Sequence, residues 1–545
     1  MGERVKRELV FGNTLAGASC CGLLAYEMAH LSGYSFGQTV YKIDDYDEGV
    51  YLATGALMAH GYALYSQIYS AQPPVLTFAL SSVFRAFGAG AAQGRATIVF
   101  FGLMAIIAAA VLAGQARGQL AGGMTSILLV LSPVFLQYTH AVEEEVPMMA
   151  LGAVSLALAI AWWKADMTGT PSAVDAVSPS PHPRVVSQRL STPSLPTAII
   201  AVLSGVFFGL AVLTKFFAFA LLVPLAVIVV IRIFDRARAP QGSVLASTIG
   251  DVGAFVAGSA ATIAMSFALW GGDEWRQMVG DRLSASTGQA AFQQESSFHL
   301  IRDLAGTDPG LTVLAIAGGI LLLAADWRLG LVLDSWVLAT LAVLLAYHPL
   351  FGHHVVILLA PTAVLAGIGL ESLVTSWKTD GRGLLGKRPV DRSFDERMGM
   401  ATKVLAGAAA LVYLVFLPRL AMSYPTLLIP PSGADRVLSS AGAVVRRESL
   451  PSAFVAVGNA WICVDAARWC VPDLVDTSDV RVETGKLTAG EAISDTVRYH
   501  ANVVALGRAL CLLPDYVSWL RAHYTMLRSM PLEASGCPTG IYLRR

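Results

Sequence analysis

The sequence predicts an α-helical, multi-pass membrane protein with a small C-terminal α/β domain, and three observations support that fold class. Of the 545 residues, 55% are hydrophobic and 14% charged, and the mean hydropathy is +0.60, outside the balance of soluble domains. Apolar runs near 9–31, 96–114, 119–138, 146–163, 196–213, 217–231, 246–269, 310–325, 331–347, 354–372 and 401–418 meet or approach the roughly 17–25 residues that a membrane-crossing helix needs. They predict about eleven transmembrane helices. After Pro418 the pattern changes to short alternating and amphipathic segments.

The first run follows Arg4, Lys6 and Arg7; it lacks a small-residue cleavage site, which favours a retained helix over a signal peptide. Positive residues then set the orientation. Arg4, Lys6, Arg7, Arg117, Lys164, Arg184, Arg189, Arg328 and the basic stretch from Lys378 to Lys403 fall on one side of the count, which the positive-inside rule makes cytoplasmic. This places the protein in the plasma (inner) membrane, with a cytoplasmic N-terminus and an extracytoplasmic C-terminal domain. PPVLTFALSSVFRAFG, from Pro73, is short and contains Arg85, so it reads as an interfacial or re-entrant helix. Residues 164–195, rich in Pro, Ser and Thr, read as a disordered cytoplasmic linker within a membrane domain spanning 1–418. Residues 419–545 form the second domain. There AFVAVG, ANVVALG and IYLRR read as strands, TAGEAISDTVRYH and DYVSWLRAHYTML as helices, and Thr488 with Glu491 as a capping box. In an oxidising compartment Cys463, Cys470, Cys511 and Cys537 are available to pair; Cys20 and Cys21 read as small hydrophobes of the first helix.

A formal net charge of +0 excludes a strongly basic chain and gives no sign of nucleic-acid binding. The informative charges are local. DDYDEG, beginning at Asp44, and HAVEEEVPMM, beginning at His140, emerge on the same side of the predicted membrane. Asp44 or Asp45 suits a helix cap. Asp47 and Glu48 open a segment in which Val50, Thr54, Leu57 and Met58 recur at helical spacing, which predicts an amphipathic helix lying on the bilayer with its acidic end beside the bundle. Transfer from a lipid-linked donor at that interface needs a base for the acceptor hydroxyl and a cation for the leaving phosphate. Carboxylates and cations are both present. Lys215 joins two apolar runs, where a snorkelling structural role competes with a phosphate contact. Arg85 and Arg95 are further candidate phosphate contacts. His348, His353 and His354 flank a Pro-Gly turn with a spacing that is not a strong zinc pattern.

Taken together, DEGVYL, GYALY and AQPP, Arg95, EEEVPMM, LTKFFAFALLVP and HPLFGHHVVILLAP resemble the GT-C glycosyltransferases of the protein mannosyltransferase and lipid A aminoarabinose transferase group. The resemblance covers most of the membrane portion and lies in the order and position of short motifs. It implies a GT-C fold and an inverting glycosyltransferase that moves a sugar from a polyprenyl-phosphate donor to a lipid, glycan or protein acceptor. Asp47 matches the family's general base, with Glu48 beside it. Glu145 best matches a second carboxylate that holds acceptor or a divalent cation (Mg, Mn or Zn), with Glu143 as the neighbouring candidate. Three adjacent glutamates are not expected all to point inward. Lys215 resembles a lysine that meets donor phosphate, a role to which Arg95, Arg85, Gln72, His353 and His354 are also candidates.

The chain departs from the aminoarabinose branch where a Glu-Lys pair is replaced by Ala71 and Gln72, and no histidine is evident directly after Trp270, where Asp281 is nearest and His299 lies further on. The DLVDTSDVRVETGKLT run adds no chemistry legible in sequence. A transporter or flippase of lipid-linked or envelope glycans is the alternative; it predicts acids at mid-membrane and two repeated halves. The acids here cluster instead at helix ends.

Overall fold

The computed structural model of the protein describes residues 2–35, 46–168, 197–237, 244–281, 297–348, 350–378, 392–427, 433–530 and 539–545. Asp44, Asp45, Cys537 and the linker after residue 168 lie outside them. Helix occupies each of the eleven predicted apolar runs. Among the described residues seven helices are long and apolar enough to cross a membrane: Ala91–Arg117, Glu145–Ala165, Phe216–Asp235, Ile249–Gly280, Trp327–Ala346, Gly352–Thr375 and Lys403–Met422. Two bent pairs, Gln119–Val130 with Pro133–His140 and Ser297–Thr307 with Pro309–Ala325, turn by 71° and 93° and raise the number to nine if each is one span. The remaining two predicted spans are weaker. Thr197–Val212 has 16 residues, fewer than a bilayer crossing needs, and Gly2–Ser35 is long but less apolar.

Burial separates centre from rim. Glu145–Ala165 and Gly352–Thr375 are 83% and 89% buried over their apolar windows, whereas Ile249–Gly280 and Lys403–Met422 are 17% buried. Small residues allow close crossings, as where Gly205 meets the backbone of Phe255 and Gly258 that of Val202. Several charged groups in the bundle are paired: Arg232 with Asp251 at 2.7 Å, Arg117 with Glu371 at 3.4 Å and Arg328 with Asp235 at 2.5 Å.

The segment from Tyr46 to Phe87 forms two short helices, Tyr46–Ala59 and Val75–Phe87. The first departs from the expected bilayer-lying helix. Thr54, Leu57 and Met58 are buried in protein, because Gly55 packs on Leu80 of the second helix, Leu52 on Gly94, and Gly49 on Trp461 of the C-terminal domain. That helix is a layer between bundle and domain.

The C-terminal domain has a five-stranded sheet in the order β2-β1-β3-β5-β4, with β1 Phe454–Val457, β2 Trp469–Cys470, β3 Val503–Leu506, β4 Tyr524–Ser529 and β5 Gly540–Arg544. Strand β1 is parallel to β2 and β3, and β5 is antiparallel to β3 and β4. The three predicted strands are β1, β3 and β5. The segment read as one helix through Leu527 ends at His523, because Tyr524 onward pairs with β5. The helix Arg392–Leu427 runs through Pro418, since a proline costs it one backbone hydrogen bond without stopping it. The Thr488–Glu491 capping box is present. Cys463 bonds Cys470, and Cys511 is also disulfide-bonded.

The DLVDTSDVRVE run is the docking face. Arg481, buried, bonds the Asp473 carboxylate at 2.9 Å and lies 3.6 Å from the centroid of the Tyr69 ring. The Thr477 N–H donates to the Tyr46 hydroxyl at 3.0 Å. Burial and the neighbouring Asp473 push the Asp495 carboxyl up to about 6. A carboxyl raised on folding binds protons more tightly in the folded state, so its effect is a loss of stability as pH rises from about 4 to 6. Asp495→Asn is expected to raise the melting temperature at pH 7.5 by about 2–4 °C, an effect of at most about 1 kcal/mol after solvent screening. At pH 4 the variant and the parent should melt together.

Candidate active site

The site forms where four helical elements begin. Asp47 and Glu48 occupy the first turn of Tyr46–Ala59, and Glu145 opens the long buried helix. Lys215 precedes the 3-10 turn Phe216–Leu221, and His353 and His354 lie in the 3-10 turn Gly352–Leu358. Carboxylates are favoured at helix N-termini by the exposed N–H groups and the dipole.

Two segments distant in sequence converge. One oxygen each of Asp47 and Glu143 and a ring nitrogen of His353 lie within 4.8 Å of one another, as do ligand atoms of Glu145, His353 and His354. Contrary to the sequence expectation, Glu143, Glu144 and Glu145 are all fully buried. The chain is irregular from Ala141 to Glu144, so successive side chains do not follow a helical rotation. Lys215, 3% exposed, hydrogen-bonds Glu145 and lies 3.8 Å from Glu144. Burial opposes the lysine charge, but the carboxylates of Glu145 and Glu144 outweigh it and keep its pKa above the ordinary value.

Glu48 and Arg95 occupy one another. Arg95 Nε donates to Glu48 Oε1 at 2.7 Å and Nη2 to Oε2 at 2.8 Å, with both side chains buried. The structure thus commits Glu48 to a charge pair and places Arg95 behind Asp47. Arg85 donates to the carbonyl of Met58 at 2.9 Å, a helix C-terminal contact. At 1.5 Å per residue that carbonyl is roughly 16 Å along the helix from Asp47, so Arg85 is not brought to the cluster. Gln72 is half-buried in its loop, where its carbonyl accepts from the Tyr65 hydroxyl at 2.8 Å. His348 and His299 are exposed, with His348 beside Ser297 at 3.5 Å. Of the candidates, Asp47, Glu143, Glu145, Lys215, His353 and His354 come together.

Two residues escaped the sequence reading. Tyr51 stands one helical turn after Asp47, and its buried hydroxyl has no hydrogen-bond partner among the described residues. Burial, with Glu144 and Asp47 nearby, pushes its pKa well above the ordinary value, so it remains a donor. The i, i+4 spacing from Asp47 was its available signal. Glu27, in the first helix, is 2% exposed and accepts from Thr139 at 2.9 Å. A carboxylate inside an apolar run was the cue for it. A small cavity is lined by Met148, Gly152, Phe217, Trp336, Thr340 and Ile357. Met148, Gly152, Phe217 and Ile357 come from the elements that follow or carry Glu145, Lys215 and the histidines, and Trp336 and Thr340 from the helix Trp327–Ala346.

No family model matches the chain, and no curated protein matches it by sequence. Solved structures do match it. ArnT from Cupriavidus metallidurans bound to undecaprenyl phosphate aligns with a TM-score of 0.56 at 14% identity, covering 98% of this chain and 97% of that one. The chain has the GT-C fold. The apo form of the same ArnT gives 0.55 at 16% identity over 95% and 97% of the two chains. The oligosaccharyltransferase AglB from Archaeoglobus fulgidus, in complex with an inhibitory peptide and a dolichol-phosphate, gives 0.52 at 10% identity over 91% of this chain and 69% of that one. Within this fold the Glu48–Arg95 pair is a sensitive joint. Arg95→Ala, which strands a buried carboxylate, is expected to destabilise by about 3–5 kcal/mol, and Glu48→Leu with Arg95→Met to recover most of that loss in thermal melts.

Proposed function

We propose that the protein is an inverting glycosyltransferase that moves a sugar from a polyprenyl-phosphate donor to a hydroxyl acceptor. The observation that carries this reading is the meeting of Asp47 with Glu143 and His353 beside the buried Lys215–Glu145 pair. Such a site brings a carboxylate base, a lysine and a set of cation-holding groups together. The fold neighbours include an ArnT bound to undecaprenyl phosphate and an AglB with a dolichol-phosphate, which supports the same substrate class.

In this mechanism Asp47 takes the proton of the acceptor hydroxyl as its oxygen bonds the anomeric carbon and the carbon–oxygen bond to phosphate breaks with inversion. One carboxylate is enough, because the leaving group is a phosphate whose charge is met by cations. Lys215 supplies one positive charge, and the Tyr51 hydroxyl faces the same cluster as a donor. Glu48 positions Asp47 through Arg95. Glu145 is the counter-ion of Lys215, and Glu143 becomes the acceptor-side carboxylate. The C-terminal domain is extracytoplasmic in this reading, in keeping with its disulfide chemistry.

Asp47, Glu143 and His353 also form a donor set for a divalent cation, with two carboxylates and one imidazole close enough to share an ion after small adjustments. Among the described residues Asp47, Glu143, Glu144 and Glu145 outnumber Lys215 at this spot, so a cation there would offset their repulsion of an anionic donor. When bound, the cation supplies countercharge to phosphate.

The test is native mass spectrometry of lipid co-purified with the protein, followed by transfer assays with that lipid-linked sugar. Asp47→Asn is expected to lower turnover by about 10²–10⁴-fold while the protein remains folded. Retained turnover in that variant would remove Asp47 from the reaction. Separately, Mn²⁺ is expected to raise the melting temperature of the parent, and Glu143→Gln to abolish that rise.

A further inference from the structure

The helix that carries Asp47 is gripped from the C-terminal domain at both ends. Near its start, Gly49 packs so closely on the helix Trp461–Ala466 that a Cβ there would lie 2.6 Å from the Trp461 nitrogen and 3.1 Å from its Cα. Only glycine permits that approach. The Trp461 side chain is 1% exposed, and the Arg95 guanidinium carbon lies 5.8 Å from its ring centroid, within cation–π range. Arg95 is the partner of Glu48, next in sequence to Asp47. Just past the other end of the helix, the ring of Trp469 stacks on His60 at 4.3 Å and 21°. Cys463 and Cys470, which lie between these tryptophans or beside them, are joined by a disulfide that closes the loop.

We propose that the segment Trp461–Cys470, braced by the Cys463–Cys470 disulfide, is a positioning element of the active site, with Trp461 acting through Gly49 and the Glu48–Arg95 pair to aim Asp47. This rests on the transferase reading for its consequence, but not for its geometry. The bundle holds this helix through its middle, where Leu52 meets Gly94 and Gly55 meets Leu80, and at its first turn through the Glu48–Arg95 pair, on which Trp461 also bears. Its first turn, which presents Asp47 to Glu143 and His353, depends on Trp461 above and Arg95 behind. A catalytic carboxylate displaced by about 1 Å can lose about 100-fold in rate, so a modest tilt of that turn is sufficient to matter. The C-terminal domain is then a working part of the site, acting through the helix that bears Asp47.

Two measurements on the full-length protein in detergent test this. Hydrogen exchange of Trp461→Ala is expected to accelerate about tenfold or more at the amides of residues 48–52 and to stay unchanged in the helix Glu145–Ala165. Turnover of lipid-linked sugars extracted from bacterial membranes should fall about 100-fold. Inhibition of that turnover by undecaprenyl phosphate should keep its concentration dependence, and Trp461→Phe should restore most of the loss in both measurements. Unchanged exchange at residues 48–52 would overturn the proposal, as would faster exchange throughout the bundle, which would mean a general stabilising role. If the parent shows no transfer, the transferase reading fails while the exchange result still decides the clamp. If Trp461→Ala does not fold, His60→Ala, at an exposed position, is expected to accelerate exchange in the last turn before residue 60. No change there would count against the grip by Trp469.

Discussion

The structure depends on pairing buried carboxylates with buried cations. Glu48, Glu143, Glu144 and Glu145 crowd one region beside Asp47, with Arg95 bound to Glu48 and Lys215 to Glu145. An ionised group in such surroundings costs several kcal/mol unless a partner meets it at hydrogen-bond distance. The pairs that satisfy this requirement also fix the architecture. Glu48 with Arg95 ties the first short helix to the buried helix Ala91–Arg117, and Glu145 with Lys215 ties the start of one central helix to the break between two others.

A second feature follows from where those charges sit. The site is assembled at interruptions: the irregular chain before Glu145, the break at Leu213–Lys215, and the extended residue Phe351 before the histidine turn. Continuous helices bury their backbone polar groups and offer only side chains to a ligand. Interrupted ones expose N–H groups and turn several starts toward one point. The same elements continue as buried helices and also line a small cavity with Met148, Phe217 and Ile357.

The C-terminal domain extends this arrangement. Several of its contacts fall on the first connecting segment, with Thr477 on Tyr46, Trp461 on Gly49, Trp469 on His60 and Arg481 on Tyr69, and Trp461 also lies beside Arg95 of the bundle. Most are aromatic or hydrogen-bonded contacts that combine area with direction. Rigid-body movement of the domain would therefore be felt first by the helix bearing Asp47.

Much of this was legible in the sequence, because hydropathy and acidic spacing are local. Each of the eleven apolar runs became helix, and Asp47 and the Glu143 to Glu145 triplet were recognisable as carboxylates placed at helix starts. Partner choice was not legible. Glu48 and Asp47 are neighbours with the same charge, yet one is taken by Arg95 and the other meets Glu143 and His353, and only the rotation of a helix packed on three sides separates them. The fate of Arg85 depended likewise on which helix end lay within its reach. Trp461 carried no signal, since its close contact is with a glycine more than four hundred residues earlier. Local chemistry is written residue by residue, whereas pairing of buried charges is settled by packing over the whole chain, where a change of one ångström decides which partner is reached.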